Sequence, residues 1–287
     1  MADYAELREI RARHPERIAQ AAATRRRRPL YGGRQLMIVA ADHPARGALG
    51  VGGRPLAMGS RVELLDRLTT ALARPGVDGL LATPDIVEDL LLLGALHDKL
   101  VIGSMNRGGL QGAIFEFDDR FTAYDTDTIV GMRLDGGKML CRIAVDEPGT
   151  VATLQACARA VSDLAAHDRV AMVEPFWSAR SGHDLSPEGV IKAINVSQAL
   201  GSTSARTWLK IPVVEDMERV MQATTLPTLL LGGDPGDTPD LAYAAWRRAL
   251  KLPGVRGLVV GRALLYPADD DVAGAVDTAV SMLSVPG

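Results

Sequence analysis

Runs of apolar residues recur along the chain, each followed by a stretch with helical spacing. Residues 35–42, 76–83, 99–104, 136–143, 168–175, 206–214, 226–233 and 255–262 read as eight strands. They are continuous apolar runs rather than alternating stripes, the pattern of strands buried on both faces. Between and after them, 60–73, 84–96, 124–133, 149–167, 187–200, 215–224, 239–251 and 270–283 read as helices. One leading helix is predicted over 3–24, where Leu7, Ile10, Ile18 and Ala21 fall at helical spacing. Strict strand–helix alternation implies a parallel sheet. Eight such units in about 250 residues predict an α/β (β/α)8 barrel with an extra N-terminal helix. The expected organisation is one barrel domain over 1–287, with a helix and lead-in to residue 34 and the barrel proper from 35.

Bulk composition narrows the function. The 287 residues are 47% hydrophobic, enough for one large core, and the net charge of −3 gives no electrostatic case for nucleic acid or an anionic membrane. Cys141 and Cys157 have no metal-type spacing and fit a reducing compartment. The N-terminus lacks the apolar core of a signal peptide, and no apolar run approaches the roughly 20 residues that span a bilayer. A cytoplasmic protein is expected. Arg25-Arg26-Arg27-Arg28 reads as a solvated helix end in preference to a phosphate or nucleic-acid patch.

In such barrels the chemistry sits at the C-terminal ends of the strands. Asp42, Lys138, Glu174 and Lys210 all lie on strands or at those ends. An interval of 36 positions separates Lys138 from Glu174 and again Glu174 from Lys210, about one strand–helix unit each. A single pair of this kind is readily a structural ion pair. Two lysines and two carboxylates on four strands suggest more, because unpaired buried charge is costly. The set suits amine-based covalent catalysis. Burial on an apolar strand and a neighbouring ammonium, for which Lys138 is the candidate, both lower the pKa of Lys210 and free it to attack a ketone. Glu174 or Asp42 then moves protons.

Gly232-Gly233 and Gly261-Arg262 end the last two strands, where barrels often bind phosphate through backbone N–H groups, with Arg262 as an added donor. The 105–122 segment, with Asn106-Arg107-Gly108-Gly109, is either a functional loop or a surface excursion. His43 either shuttles protons or caps its loop, and Trp177 either stacks on substrate or packs.

These residues together resemble the class I (Schiff-base) barrel aldolases of the tagatose-bisphosphate aldolase, DhnA and DeoC-like type, over about residues 36–267. Asp42 with Arg46-Gly47-Ala48-Leu49 is similar to that family's first-strand motif, with two extra residues between. Gly137-Lys138 resembles its fourth-strand lysine, Val173-Glu174-Pro175 its fifth-strand Glu-Pro, Leu209-Lys210 its Schiff-base strand, and Gly232-Gly233 and Gly261-Arg262 its phosphate-binding ends. The resemblance implies Lys210 as imine former, Glu174 as proton-transfer group, and Lys138 and Asp42 as orienting or acid–base partners. It also implies a phosphorylated carbohydrate substrate and no cofactor or metal. Arg46, His43 and Trp177 are candidate substrate contacts.

Phe176-Trp177 stands where some archaeal-type members carry a tyrosine, so a tyrosine acid is not expected. The chain also resembles an actinobacterial group placed with inositol catabolism, which implies a substrate such as 6-phospho-5-dehydro-2-deoxygluconate. A homo-oligomer is expected, with Trp246 and Leu250 either interface or, by default, packing. The rivals are a metal-dependent aldolase, for which the five histidines show no cluster, a metabolite-sensing barrel without catalysis, and a transaldolase or deoxyribose-phosphate-type aldolase.

Overall fold

The structure, a computed structural model, describes residues 4–30, 33–232 and 239–283. Two helices lead, α1 (Tyr4–Arg13) and α2 (Glu16–Thr24). The single helix expected over 3–24 is broken at Pro15, whose ring and missing N–H do not fit a helix interior. The barrel begins with β1 (Leu36–Ala41), a 3-10 turn (His43–Arg46), α3 (Arg61–Ala73), β2 (Gly79–Ala82), α4 (Pro84–Leu92) and β3 (Leu100–Ser104). It continues with α5 (Thr126–Gly131), β4 (Gly136–Ile143), α6 (Gly149–Ala166), β5 (Val170–Ala179), a two-residue β6 (Gly182–His183) and α7 (Pro187–Ser197). It closes with β7 (Thr207–Pro212), α8 (Met217–Met221), β8 (Thr228–Leu231), α9 (Pro239–Ala249), β9 (Val255–Val260), α10 (Arg262–Leu265) and α11 (Val272–Ser281).

The strands run in the order β4-β3-β2-β1-β9-β8-β7-β5, all parallel, and β5 pairs back onto β4. This is the closed eight-stranded (β/α)8 barrel. The remaining strand, β6, is antiparallel to the end of β5.

Strand parity explains why both faces are apolar. Alternate residues point in opposite directions. Leu36, Ile38 and Ala40 on β1, Val170 and Met172 on β5, and Trp208 on β7 form a cluster inside the barrel with Leu81, Leu100, Ile102, Leu229 and Val259. Their neighbours Met37, Val39, Ala171, Val173 and Leu209 join the separate, larger cluster between strands and helices. The inward series on β1 runs 36, 38, 40 and next reaches Asp42. On β5 it runs 170, 172 and next reaches Glu174, and on β7 it passes from 208 to Lys210. Parity therefore aims these side chains into the barrel mouth, above an apolar plug.

The arginine run is only in part the solvated helix end expected of it: Arg26 and Arg27 are exposed, whereas Arg25 is buried and Arg28 half-buried. Arg25 is 2% exposed and donates to the backbone oxygens of Lys99 and Arg133, both at 2.7 Å. Arg27 reaches Asp135 at 2.7 Å, while Arg28 and Arg34 both bind Asp78. Asp78 and Asp135 in turn accept from the backbone N–H of Met37 (2.8 Å) and Val101 (2.9 Å). The run is thus an ionic floor that ties the lead-in segment to the starts of β1 to β4. The sequence could not show this, because the carboxylates lie 50 or more positions away and meet the arginines only once the barrel closes.

Candidate active site

Four of the expected residues converge at the mouth. Lys210 Nζ donates to Glu174 Oε1 at 2.6 Å, and Lys138 Nζ contacts Glu174 Oε2. Lys138 also donates to Asp42 Oδ2 at 3.1 Å. The neighbouring strands β4, β5 and β7 thus set a lysine on each side of one carboxylate. All four are buried, with Lys138 and Asp42 fully so.

A fifth member comes from the long loop. Arg107 binds the same Asp42 Oδ2, to which the Ser104 hydroxyl also donates at 3.3 Å. The loop is held by a structured neck. The Asn106 amide donates to the Leu140 oxygen (2.7 Å), and its own oxygen accepts from the Leu140 N–H (2.6 Å). Asn106 also bridges to Phe121 across the neck. Beyond it, Arg142 makes a two-toothed contact with Asp119 (2.8 and 2.6 Å) and reaches Glu116 at 3.2 Å. Arg46 donates to the same Glu116 at 3.0 Å. The sequence marked this loop, with its Asn106-Arg107-Gly108-Gly109 stretch, but assigned no role to Arg107, Arg142, Asp119 or Glu116. The inward parity of Arg142, two past Leu140, was the signal available for one of them.

Burial and mutual charge set the protonation states. Burial pushes Lys210 down; Glu174 opposes this, while Arg107 and Arg262 add to it. Lys138 is pushed well below the usual lysine range by burial and by Arg107, against Glu174. Burial alone would raise Glu174, but Lys138, Lys210 and Arg107 outweigh it and hold the carboxyl well below its usual range. Arg107 and Arg262 thus join Lys138 as cations around Lys210; Lys138 shares Glu174 with it, and the two lysines depress one another. Desolvation, with Arg262 and Lys210 nearby, pushes His43 down to about 3. At that value the ring carries no proton charge at neutral pH.

Above the cluster opens a pocket of about 870 Å³, a size suited to a small metabolite. His43, Arg46, Arg107, Glu174 and Lys210 line it on one side, and Gly232, Gly261 and Arg262 on another. Gly233 lies outside the described residues. A Cβ on Gly261 would strike the Ala40 backbone oxygen, and one on Gly232 the Val260 side chain, so close packing already requires both glycines.

Trp177 does not face the pocket. It packs on the outer cluster, with Lys192 Nζ 5.5 Å from its ring centre. Phe176, at the inward parity of Glu174, lines the pocket instead and stacks on His183 at 4.2 Å. Trp246 is 2% exposed and also lines the pocket, while Leu250 is 2% exposed in the outer core. Among the described residues no three His, Cys, Asp or Glu side chains are grouped to hold a metal ion, and no helix is long and apolar enough to cross a membrane.

The fold and site define a (β/α)8 barrel with a buried lysine–carboxylate cluster at its C-terminal mouth. Residues 34–280 match the Cgl0159-like family, and the chain belongs to that family. The crystal structure of Cgl0159 from Corynebacterium glutamicum is 53% identical, over 97% of this chain and 96% of that one, with a TM-score of 0.94. An archaeal fructose-1,6-bisphosphate aldolase, with its catalytic lysine covalently bound to the carbinolamine intermediate, is similar at a TM-score of 0.67. It is 17% identical over 94% of this chain and 100% of that one. A Schiff-base-forming fructose-1,6-bisphosphate aldolase is also 17% identical, over 92% of this chain and 99% of that one, at a TM-score of 0.65. At these identities the likeness to the aldolases is one of fold. No curated protein matches the chain.

Proposed function

We propose that the protein is a class I aldolase that makes or breaks a carbon–carbon bond of a phosphorylated keto sugar or keto sugar acid through an imine on Lys210. The observation that carries this reading is the contact of the buried Lys210 amine with Glu174, at 2.6 Å, on the wall of a pocket of metabolite size. The fold it shares with aldolases described as Schiff-base-forming supports the same reading.

In its free-amine form, Lys210 adds to the substrate ketone. The N–C bond forms, the carbonyl pair moves to oxygen, and Glu174 carries the proton that nitrogen loses to that oxygen. A second proton, returned from the lysine–carboxylate cluster, lets the hydroxyl leave as water and gives the protonated imine. Asp42 or Glu174 then takes the proton of the β-hydroxyl. The carbon–carbon pair flows into the imine, an aldehyde departs and an enamine remains. Protonation at carbon and hydrolysis restore the amine. The electron sink is the Lys210 imine itself. Arg262, with the N–H groups of Gly232 and Gly261, takes the phosphate.

The test is borohydride trapping across a panel of phosphorylated ketoses and keto acids, 6-phospho-5-dehydro-2-deoxygluconate among them. The expected result is a reduced adduct on the Lys210 peptide, with cleavage and adduct both lost in Lys210→Met. Cleavage abolished by a chelator, with no adduct on any substrate, would overturn the reading.

A further inference from the structure

We infer that Arg107, delivered by the loop after β3, is the positioning residue that leaves Lys210 as a free amine, by making the buried cluster one cation too rich. The inference deepens the imine reading and rests on it for its catalytic meaning.

Without Arg107, the four strand groups alone, Lys138 and Lys210 against Asp42 and Glu174, balance two against two. Arg107 adds a third cation on Asp42, at 5% exposure. Its guanidinium does not relieve the surplus: even pushed down to about 10, it stays charged at neutral pH. The adjoining cluster does not absorb the charge either, because Arg142 and Arg46 already face Asp119 and Glu116, two against two. Uncompensated charge in the interior is costly. Release of one lysine proton removes that cost.

Access to the pocket selects the lysine that acts. Lys138 is depressed as well, but it is fully buried between Asp42 and Glu174, whereas Lys210 touches Glu174 alone and lines the pocket. The other groups around Lys210 leave the count unrelieved. His43, after β1, is uncharged, and Arg262 on α10 is a further cation that acts in the same direction. The neck made by Asn106 holds Arg107 in place, so the loop supplies a fixed charge.

The experiment follows the pH dependence of Lys210 acylation by an amine-reactive ester, in buffer without sugar, read by peptide mass spectrometry. Arg107→Met is expected to raise the labelling midpoint by a unit or more, so that labelling at pH 7 falls by about tenfold or more. The double variant R107M/D42N removes one charge of each sign and is expected to return the midpoint to the wild-type value. Arg107→Gln is read in parallel, with near-ultraviolet circular dichroism to confirm folding, so a failure of the methionine variant to fold does not end the test. An unshifted midpoint in both single variants, or no return in the double, overturns the inference. Labelling needs no substrate. Absence of a borohydride adduct therefore counts against the aldolase reading alone, and a normal adduct with an unshifted midpoint counts against Arg107 alone.

Discussion

Lys210 and Glu174, carried on the neighbouring strands β7 and β5, meet at 2.6 Å, while the other oxygen of Glu174 holds Lys138. One carboxylate thus touches both amines. That arrangement can carry a proton from the attacking nitrogen to the departing oxygen without solvent. Glu174→Gln keeps the shape and removes the charge. It is expected to slow imine formation by about 10²–10⁴-fold, the usual share of a positioned acid–base group. Single-turnover borohydride trapping measures this, and a change below tenfold would remove Glu174 from the proton path.

The depressed Lys210 carries a defined pH sign. Trapping is expected to rise with pH as the amine loses its proton, with a midpoint below the ordinary lysine value of 10.5. Between the folded value and 10.5 the unfolded chain binds more protons than the native one, so the contribution of Lys210 to stability rises with pH across that window. Melting temperature against pH should rise less steeply there in Lys210→Met than in the parent. Parallel curves would show that Lys210 titrates normally.

Phe176 and Trp177 are expected to separate binding from stability. Phe176→Ala should raise KM several-fold, since its ring lines the pocket and stacks on His183. Trp177→Leu should leave KM nearly unchanged and lower stability by about 1–3 kcal/mol, since the outer packing loses apolar area. Steady-state kinetics and urea unfolding of the two variants decide it. A larger KM effect at Trp177 would contradict the strand parity.

The ionic floor should matter to folding and not to chemistry. Asp135 is 7% exposed and meets both Arg25 and Arg27, so Asp135→Asn leaves buried guanidinium charge uncompensated. A loss of about 3–5 kcal/mol is expected from denaturant unfolding, with trapping at Lys210 unaltered. A loss under 1 kcal/mol would mean that the floor is solvated after all.

The apolar runs made the barrel readable, because a parallel strand buried on both faces has few alternatives and its period of two assigns every side chain a direction. The equal spacing of Lys138, Glu174 and Lys210 made their meeting readable for the same reason. The parity that aims Glu174 inward also places Phe176 inward and Trp177 outward, so that signal was present in the chain although the aromatic assigned to the substrate was Trp177. The broken leading helix was legible too, in Pro15.

Other features depended on the closed structure. Arg107 lies on a loop, where no period governs direction, and its meeting with Asp42 spans 65 positions. The pairing of Arg25 and Arg27 with Asp135, and of Arg28 with Asp78, likewise required strand starts that neighbour one another only in the barrel. The sequence by itself determined which strand residues point inward, because the backbone geometry of a strand is local. Only the tertiary structure decided which charges those residues meet, because electrostatic partners are set by proximity in space, and here that depends on barrel closure and on the path of one loop.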